Sequence, residues 1–307
     1  MVAALLADLF ESHRSHLLSV GYRLTGSVSD AEDAVQESWL RLAVAHQYEI
    51  EDLRAWLTTV VSRICLDRLR SASARREKYV GQWLPEPIVT ATGPSTAPDP
   101  LAVVVRKQDY RFAALVVLDT LTPPQRVAFV LHEGFSVPFD EIADILGVSV
   151  EAARQLAVRA RKAAARTPDP VPDEEHEVVV QQLLAALGRA DMDAVVALLH
   201  PDVRTIGDAG GTTSTAINVV SGVDKVARLW LGLRRMHGLG DPEAFRESLE
   251  LVLVNGQLGV LVHERAFVDG RSGTPTRVYG FTVKDGKVWG AYDLANPAKL
   301  KGIHVPH

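Results

Sequence analysis

The sequence predicts a multidomain chain: two all-α domains, the second a helix-turn-helix, followed by an α+β cone with an interior pocket. Three observations carry this. Apolar residues recur at spacings of three and four through the first 80 residues and again from about 101 to 166. Proline-rich breaks at 81–100 and 167–173 interrupt them. Beyond about residue 200, short strand-like runs take over, with Asn255-Gly256 and Asp285-Gly286 as hairpin turns.

Residues 1–80 form the first domain. Leu5, Leu6, Leu9, Phe10, His13, Leu17, Val20 and Leu24 make one helical face, and Gly26-Ser27 ends it. Ser29 and Glu32 have capping-box spacing for the next helix. That helix puts Ala31, Val35, Trp39 and Leu42 on one side and Asp30, Glu32, Asp33, Gln36 and Glu37 on the other. A solvated face is the plain reading; a docking surface for a basic partner helix is the sharper one. The third helix, from about Leu53 to Ala74, has Trp56, Leu57, Val60, Ile64 and Leu69 as its apolar side. From Arg63 to Lys78 six basic residues face two acidic ones, a net +4. One acidic and one basic helix suit two different partners.

Residues 81–100 read as a linker. Trp83-Leu84-Pro85-Glu86-Pro87 is apolar and stiff, hence docked; the remainder is expected to be loose. Helices resume near Pro100, and Thr122-Pro123-Pro124-Gln125 starts another. Phe139 to Leu146 is a short amphipathic helix, Gly147 a left-handed stop, and Ser149 the cap of a helix from Val150 to Ala165. Between 151 and 166 five basic residues stand against Glu151 alone, again +4, while Ala153, Leu156, Ala157 and Ala160 form a narrow apolar stripe. This is a helix-turn-helix with a basic second helix suited to a major groove; an ordinary hairpin with a solvated face is the alternative. After the 167–173 linker, residues 174–307 give two helices, a strand at 203–206, a helix at 222–236, and a meander of antiparallel strands at 248–254, 259–266, 277–283 and 288–292.

Bulk properties set the limits. The chain has 307 residues, 47% of them hydrophobic, enough for two or three cored domains. The net charge of −5 makes local charge the relevant quantity. One cysteine, Cys65, excludes an internal disulfide framework, suits a reducing cytoplasm and falls at core spacing. The apolar start lacks the basic region of a signal peptide, and no apolar run spans a bilayer.

Taken together, these segments resemble the bacterial extracytoplasmic-function sigma factors of RNA polymerase. Asp30-Ala31-Glu32-Asp33-Ala34-Val35-Gln36-Glu37 is similar to the segment that grips the polymerase clamp helices. Arg54-Ala55-Trp56-Leu57 through Arg70 is similar to the segment that melts and reads the −10 element. Leu121 to Arg126 and Glu141 to Lys162 resemble the domain that binds the −35 element. The rest resembles the subgroup with a SnoaL-like C-terminal domain, the sigma-J type, whose fold is the cone of nuclear transport factor 2. Residues 83–87 match that subgroup's linker motif, and Asn296-Pro297-Ala298-Lys299-Leu300 matches its tail motif except at Ala298, where aspartate is usual. Asp208-Ala209-Gly210-Gly211-Thr212 matches an Asp-Gly-Gly-Gly-Lys loop more weakly, departing at Ala209 and Thr212.

The resemblance implies RNA polymerase core and promoter DNA as partners, a cytoplasmic location, and no membrane, catalytic, metal or cofactor role. Polymerase contact falls to Asp30, Asp33, Gln36 and Glu37. Arg63, Arg68, Arg70, Arg75 and Arg76 would hold the −10 strand, with Trp56 either a stacking platform or core. Arg154, Gln155, Arg159, Arg161 and Lys162 would meet the −35 element, with Arg166 a phosphate contact. Trp83, Leu84, Pro85, Glu86, Pro87, Asp208, Gly210, Gly211, Asn296, Pro297, Lys299 and Leu300 would form an interdomain regulatory set docking the cone on the sigma domains. The cone pocket is open to an unknown small molecule; Asp208, Glu264 and Asp293 are the carboxylates available to an isomerase-like reaction. His13 with His16, and His304 with His307, lack convergent third ligands for a metal. A free-standing ligand-sensing regulator and a SnoaL-like isomerase or hydrolase are the rival readings.

Overall fold

The computed structural model describes residues 2–46, 49–76, 79–93, 111–213, 215–237, 239, 241–264, 275–301 and 303. Expectations at 94–110, 265–274, His304 and His307 lie outside them. The chain divides into two compact units: Met1–Lys78, Pro98–Tyr110 and Ala114–Thr167 in one, Tyr79–Ala97, Arg111–Ala113 and Pro168–His307 in the other.

In the first unit, α1 (Val2–Thr25), α2 (Val28–Val44) and α3 (Leu53–Arg76) bury Leu17, Val20, Val35, Leu42, Leu57 and Ile64 against one another. The cap of α2 is Ser27, not Ser29: the Ser27 hydroxyl accepts the Asp30 N–H at 3.2 Å. Cys65 is fully buried among these helices, and burial pushes its thiol up to about 12, as expected of core filler. The same unit holds α4 (Phe112–Leu118) from Ala114 onward, α5 (Pro123–Phe129) continued by a π turn at Val130–Gly134, α6 (Phe139–Leu146) and α7 (Val150–Ala164). Gly147 is left-handed at φ 68°, and Ser149 caps α7 by accepting the Ala152 N–H at 3.2 Å.

The second unit has β1 (Val89–Ala91), α8 (Asp173–Gly188), α9 (Met192–Leu198), β2 (Leu199–Asp208), β3 (Val220–Ser221), α10 (Val223–Met236), α11 (Pro242–Glu247), β4 (Leu249–Val254), β5 (Gln257–Val262), β6 (Arg277–Lys284), β7 (Lys287–Leu294) and α12 (Pro297–Leu300). Its strands form one sheet in the order β1-β4-β5-β6-β7-β2-β3. Asn255-Gly256 and Asp285-Gly286 turn the β4–β5 and β6–β7 hairpins with positive φ at all four residues. The expected antiparallel meander forms as β4-β5-β6-β7, and the earlier strand β2 joins its end. β2 pairs with β7 in parallel, because the chain returns from β2 through helices before entering the meander. The core lies between the inner sheet face and α8 and α10, with Val180, Leu183, Val226, Val260, Phe281 and Ala291 at its centre.

Candidate functional site

Helix α7 presents a basic row. Ala153, Ala157 and Ala160 are buried, while Arg154, Gln155, Arg159, Arg161 and Lys162 are exposed, as is Arg166 beyond its end. Arg154 stands 5.8 Å over the Phe139 ring. Gln155 donates to Glu151 at 3.3 Å, and Arg161 pairs with Glu133. Exposed pairs of this kind contribute little and are readily exchanged for phosphate contacts.

The acidic and basic helices are not electrically separate, and this corrects the sequence reading. Arg68 on α3 pairs with Asp30 at 2.9 Å and Asp33 at 3.3 Å on α2. Half-buried Arg68 lies where α2 and α3 pack together, so it joins the two faces. Glu37 pairs with Arg41 one turn on. Asp33, Gln36 and Glu32 line a surface groove of about 470 Å³ with Phe10, Glu11 and Trp39. On α3, Arg63 is exposed and donates to the Asp144 carbonyl at 3.3 Å; exposed Arg70 pairs with Asp67 at 3.4 Å. Trp56 is half-buried. Arg75 and Arg76 end α3, with side chains outside the described residues. His16 is a satisfied packing histidine, 2.9 Å from the Thr58 hydroxyl and edge-on to Phe135.

Sequence reasoning missed Arg126. Its side chain is only 1% exposed, pairs with Asp119 at 3.0 Å, and donates through Nε to the Arg23 carbonyl at 3.2 Å. One buried cation thereby ties α5 to the end of α1, across the boundary expected between the two helical domains. A buried arginine at the end of Thr-Pro-Pro-Gln-Arg looks like any surface charge in sequence.

In the second unit, Asp208 is fully buried at the end of β2 and gathers the three motif segments. Its Oδ2 accepts the Leu84 N–H at 2.8 Å and Lys299 Nζ at 2.6 Å. Its Oδ1 accepts the Tyr79 hydroxyl at 2.5 Å and the Gly210 N–H at 3.2 Å. Lys299 also donates to the Leu84 carbonyl and lies 3.8 Å over the Trp83 ring. Asn296 donates to the Tyr79 hydroxyl at 2.8 Å and caps α12 through the Ala298 N–H. That cap uses only a backbone N–H, so alanine suffices at 298. Gly210 is needed for close approach: a Cβ there would lie 2.7 Å from Asn296. Leu84, Pro85, Pro87 and Ile88 are buried, and Glu86 is half-buried. Gly211 and Pro297 are exposed and Leu300 is half-buried. The Asn255 N–H then donates to the Ile88 carbonyl at 2.8 Å, and the Ile88 N–H to Asn255 Oδ1 at 3.1 Å, where β1 joins β4. Residues 79–91 are thus strapped to the sheet domain, part of it as an edge strand that the linker's proline content concealed.

Family comparisons divide the chain along these lines. The Sigma-70 region 2 model matches residues 9–75, the Sigma-70 region 4 model residues 111–163, and the SnoaL-like domain model residues 180–291. The ECF RNA polymerase sigma factor SigJ of Mycobacterium tuberculosis is 53% identical over 296 residues, 95% of this chain and 92% of that protein. The chain belongs to the extracytoplasmic-function RNA polymerase sigma factors. A probable sigma factor of the same organism, SigI, is 36% identical over 71% of this chain and 73% of its own. The crystal structure of M. tuberculosis SigJ superposes with a TM-score of 0.83 at 51% identity, covering 98% of this chain and all of that one. Two sigma regions followed by a SnoaL-like domain is therefore the architecture of this sigma factor.

Its SnoaL-like domain contains a cavity of about 100 Å³ between the inner sheet face and α8 and α10. Of the three candidate carboxylates, Asp208 is consumed by the strap and Glu264 is exposed. Asp293 alone lies on the inner face, where Arg277 Nη1 at 2.6 Å and the Thr215 hydroxyl at 2.7 Å both donate to Oδ2. Burial raises the Asp293 carboxyl above its ordinary range, and the Arg277 charge opposes that. Among the described residues, no helix of the sigma factor is long and apolar enough to cross a membrane.

Proposed function

We propose that this sigma factor, which works with RNA polymerase core and promoter DNA, is governed in cis by its SnoaL-like domain. The domain acts by holding the chain segment between the two sigma regions. The observation that carries this is the grip of Asp208 and Lys299 on Tyr79, Trp83 and Leu84. Those residues fall in chain order after region 2 and before region 4. A clasp there fixes how much chain is free between the two promoter-reading regions. The strap, the 208–212 loop and the 296–300 tail are its parts. They bind one another within the C-terminal unit, which favours restraint of the linker.

The exposed α7 row of Arg154, Gln155, Arg159, Arg161 and Lys162 is assigned to the −35 element. Trp56 and the α3 arginines are assigned to the −10 strand, with Arg68 freed from Asp30 and Asp33 as α2 engages a basic polymerase helix. Asp30, Asp33, Gln36 and Glu37 are that contact. We read the SnoaL-like domain as regulatory rather than catalytic, and the protein as cytoplasmic.

Run-off transcription with purified core enzyme tests the assignments. Arg154→Ala and Arg159→Ala are expected to lower promoter binding by the holoenzyme by about 1–3 kcal/mol each and to relax sequence preference. Lys162→Ala should weaken binding evenly across sequences and reduce its salt dependence. A free-standing regulator would instead bind its site equally well without core and give no transcript with it.

A further inference from the structure

The chain enters sigma region 4 and leaves it at one point. The region 4 match begins at residue 111, yet Arg111–Ala113 fold with the C-terminal unit, as do the residues from Pro168 onward. Arg111 Nη1 donates to the Val171 carbonyl at 2.6 Å, and its Nη2 to Asp173 Oδ1 at 3.0 Å. Those partners lie 60 and 62 residues further along the chain. The Arg111 side chain is 11% exposed, and Val171 packs against the core of the sheet domain. Asp173 is largely exposed, so the charge pair contributes little, and the shielded bond to the carbonyl contributes more.

Phe112 makes the same attachment with apolar surface. It is buried, and its ring lies 5.3 Å from that of Tyr292 on β7 in a tilted arrangement. Tyr292 is the cross-strand neighbour of Gly280 on β6, and a Cβ on Gly280 would come within 3.9 Å of Phe112. Ala291 and Phe281, the next residues on those strands, belong to the core, so Tyr292 and Gly280 carry Phe112 on the opposite face of the sheet. The Asp208 strap by itself leaves residues 92–110 between it and region 4. Arg111 and Phe112 take up that length, and the bond to Val171 fixes the other end of region 4 at the same place.

We propose that Arg111 and Phe112 are positioning residues that clip the base of region 4 to the SnoaL-like domain, and that this clip sets the spacer length between the −35 and −10 elements that the sigma factor accepts. Each base pair added to a spacer moves the −35 element by about 3.4 Å and turns it by roughly 35°. A region 4 on a free tether follows such a displacement. One pinned at entry and exit only pivots about its base, and loses contacts when the spacer is wrong. The clip rests on the reading that the domain acts in cis, but not on the Asp208 strap.

Run-off transcription by holoenzyme made with the full-length chain tests it, on a promoter selected with the parent holoenzyme and then lengthened and shortened stepwise in its spacer. A spacer wrong by about two base pairs should lower the parent's yield about 10-fold or more, the loss expected when base contacts are missed. Arg111→Met and Phe112→Leu should reduce that penalty to about 3-fold or less, and Arg111→Lys, which keeps one donor, should restore part of it. Limited trypsin digestion reads the seat itself: the Arg111–Phe112 bond should be cut several-fold faster in Phe112→Leu than in the parent. A parent indifferent to spacer length, the same spacer profile in Arg111→Met, or equal cutting of parent and Phe112→Leu would each overturn the proposal. Altered yield in Asp208→Asn with an unchanged profile in Arg111→Met strikes the clip and leaves the strap; the opposite pair of results strikes the strap and leaves the clip.

Discussion

Asp208→Ala is expected to destabilise the C-terminal unit by about 3 kcal/mol or more and to release residues 79–88 from it. The carboxylate is fully buried and accepts four hydrogen bonds. Removing it leaves Lys299 as a largely buried cation without its carboxylate, and strands the Tyr79 hydroxyl and the Leu84 N–H. A buried donor left unmade costs about 1–3 kcal/mol by itself. Asp208→Asn should be milder, because it keeps the shape and one acceptor oxygen but loses the charge. Lys299→Met should be milder still, because Asp208 retains the Tyr79, Leu84 and Gly210 donors. Denaturant titration gives the order of the three, and hydrogen exchange at the Leu84 amide gives the strap directly. Rapid Leu84 exchange in the parent, or unchanged exchange in Asp208→Ala, would remove the strap from the account.

Arg126→Ala should destabilise the helical unit by about 3 kcal/mol. It takes the Arg126 guanidinium from Asp119, whose side chain is 14% exposed, and deprives the Arg23 carbonyl of that donor. The instructive variant is the double one. Arg126→Met with Asp119→Leu removes both charges and should recover most of the loss, since replacing a buried pair by apolar residues is often neutral. Additive losses in the double variant would show that the pair is not what matters at this position.

Much of the fold was legible because local signals agreed with tertiary ones. The spacing of Ala153, Ala157 and Ala160 marked the buried side of α7, and Gly147 with Ser149 marked the turn before it. Asn-Gly and Asp-Gly located both hairpins. What was not legible depended on partners distant in sequence. The parallel β2–β7 pairing has no local signature. Val89–Ala91 reads as linker because its strand character comes from β4 at the sheet edge. The charge segregation of α2 and α3 was readable, but its closure by Arg68 onto Asp30 was not, since periodicity does not say which helices face each other. For the site, the three motif segments were visible; that one carboxylate gathers them was not. Asp208 and Asp293 look alike in sequence, yet one gathers the strap and the other is paired with Arg277 inside the sheet domain.

Deleting residues 167–307 is a poor test of control in cis, because it strips Leu84, Pro85 and Ile88 of the surface that buries them. Run-off transcription by holoenzyme assembled with the full-length chain is the direct measurement, comparing the parent with Asp208→Asn and Lys299→Met. A clasp that governs the linker predicts at least a several-fold change in transcript yield, in the same direction for both variants and with core-polymerase affinity unchanged. Equal transcript yield from all three proteins, with Leu84 exchange accelerated in the variants, would contradict it.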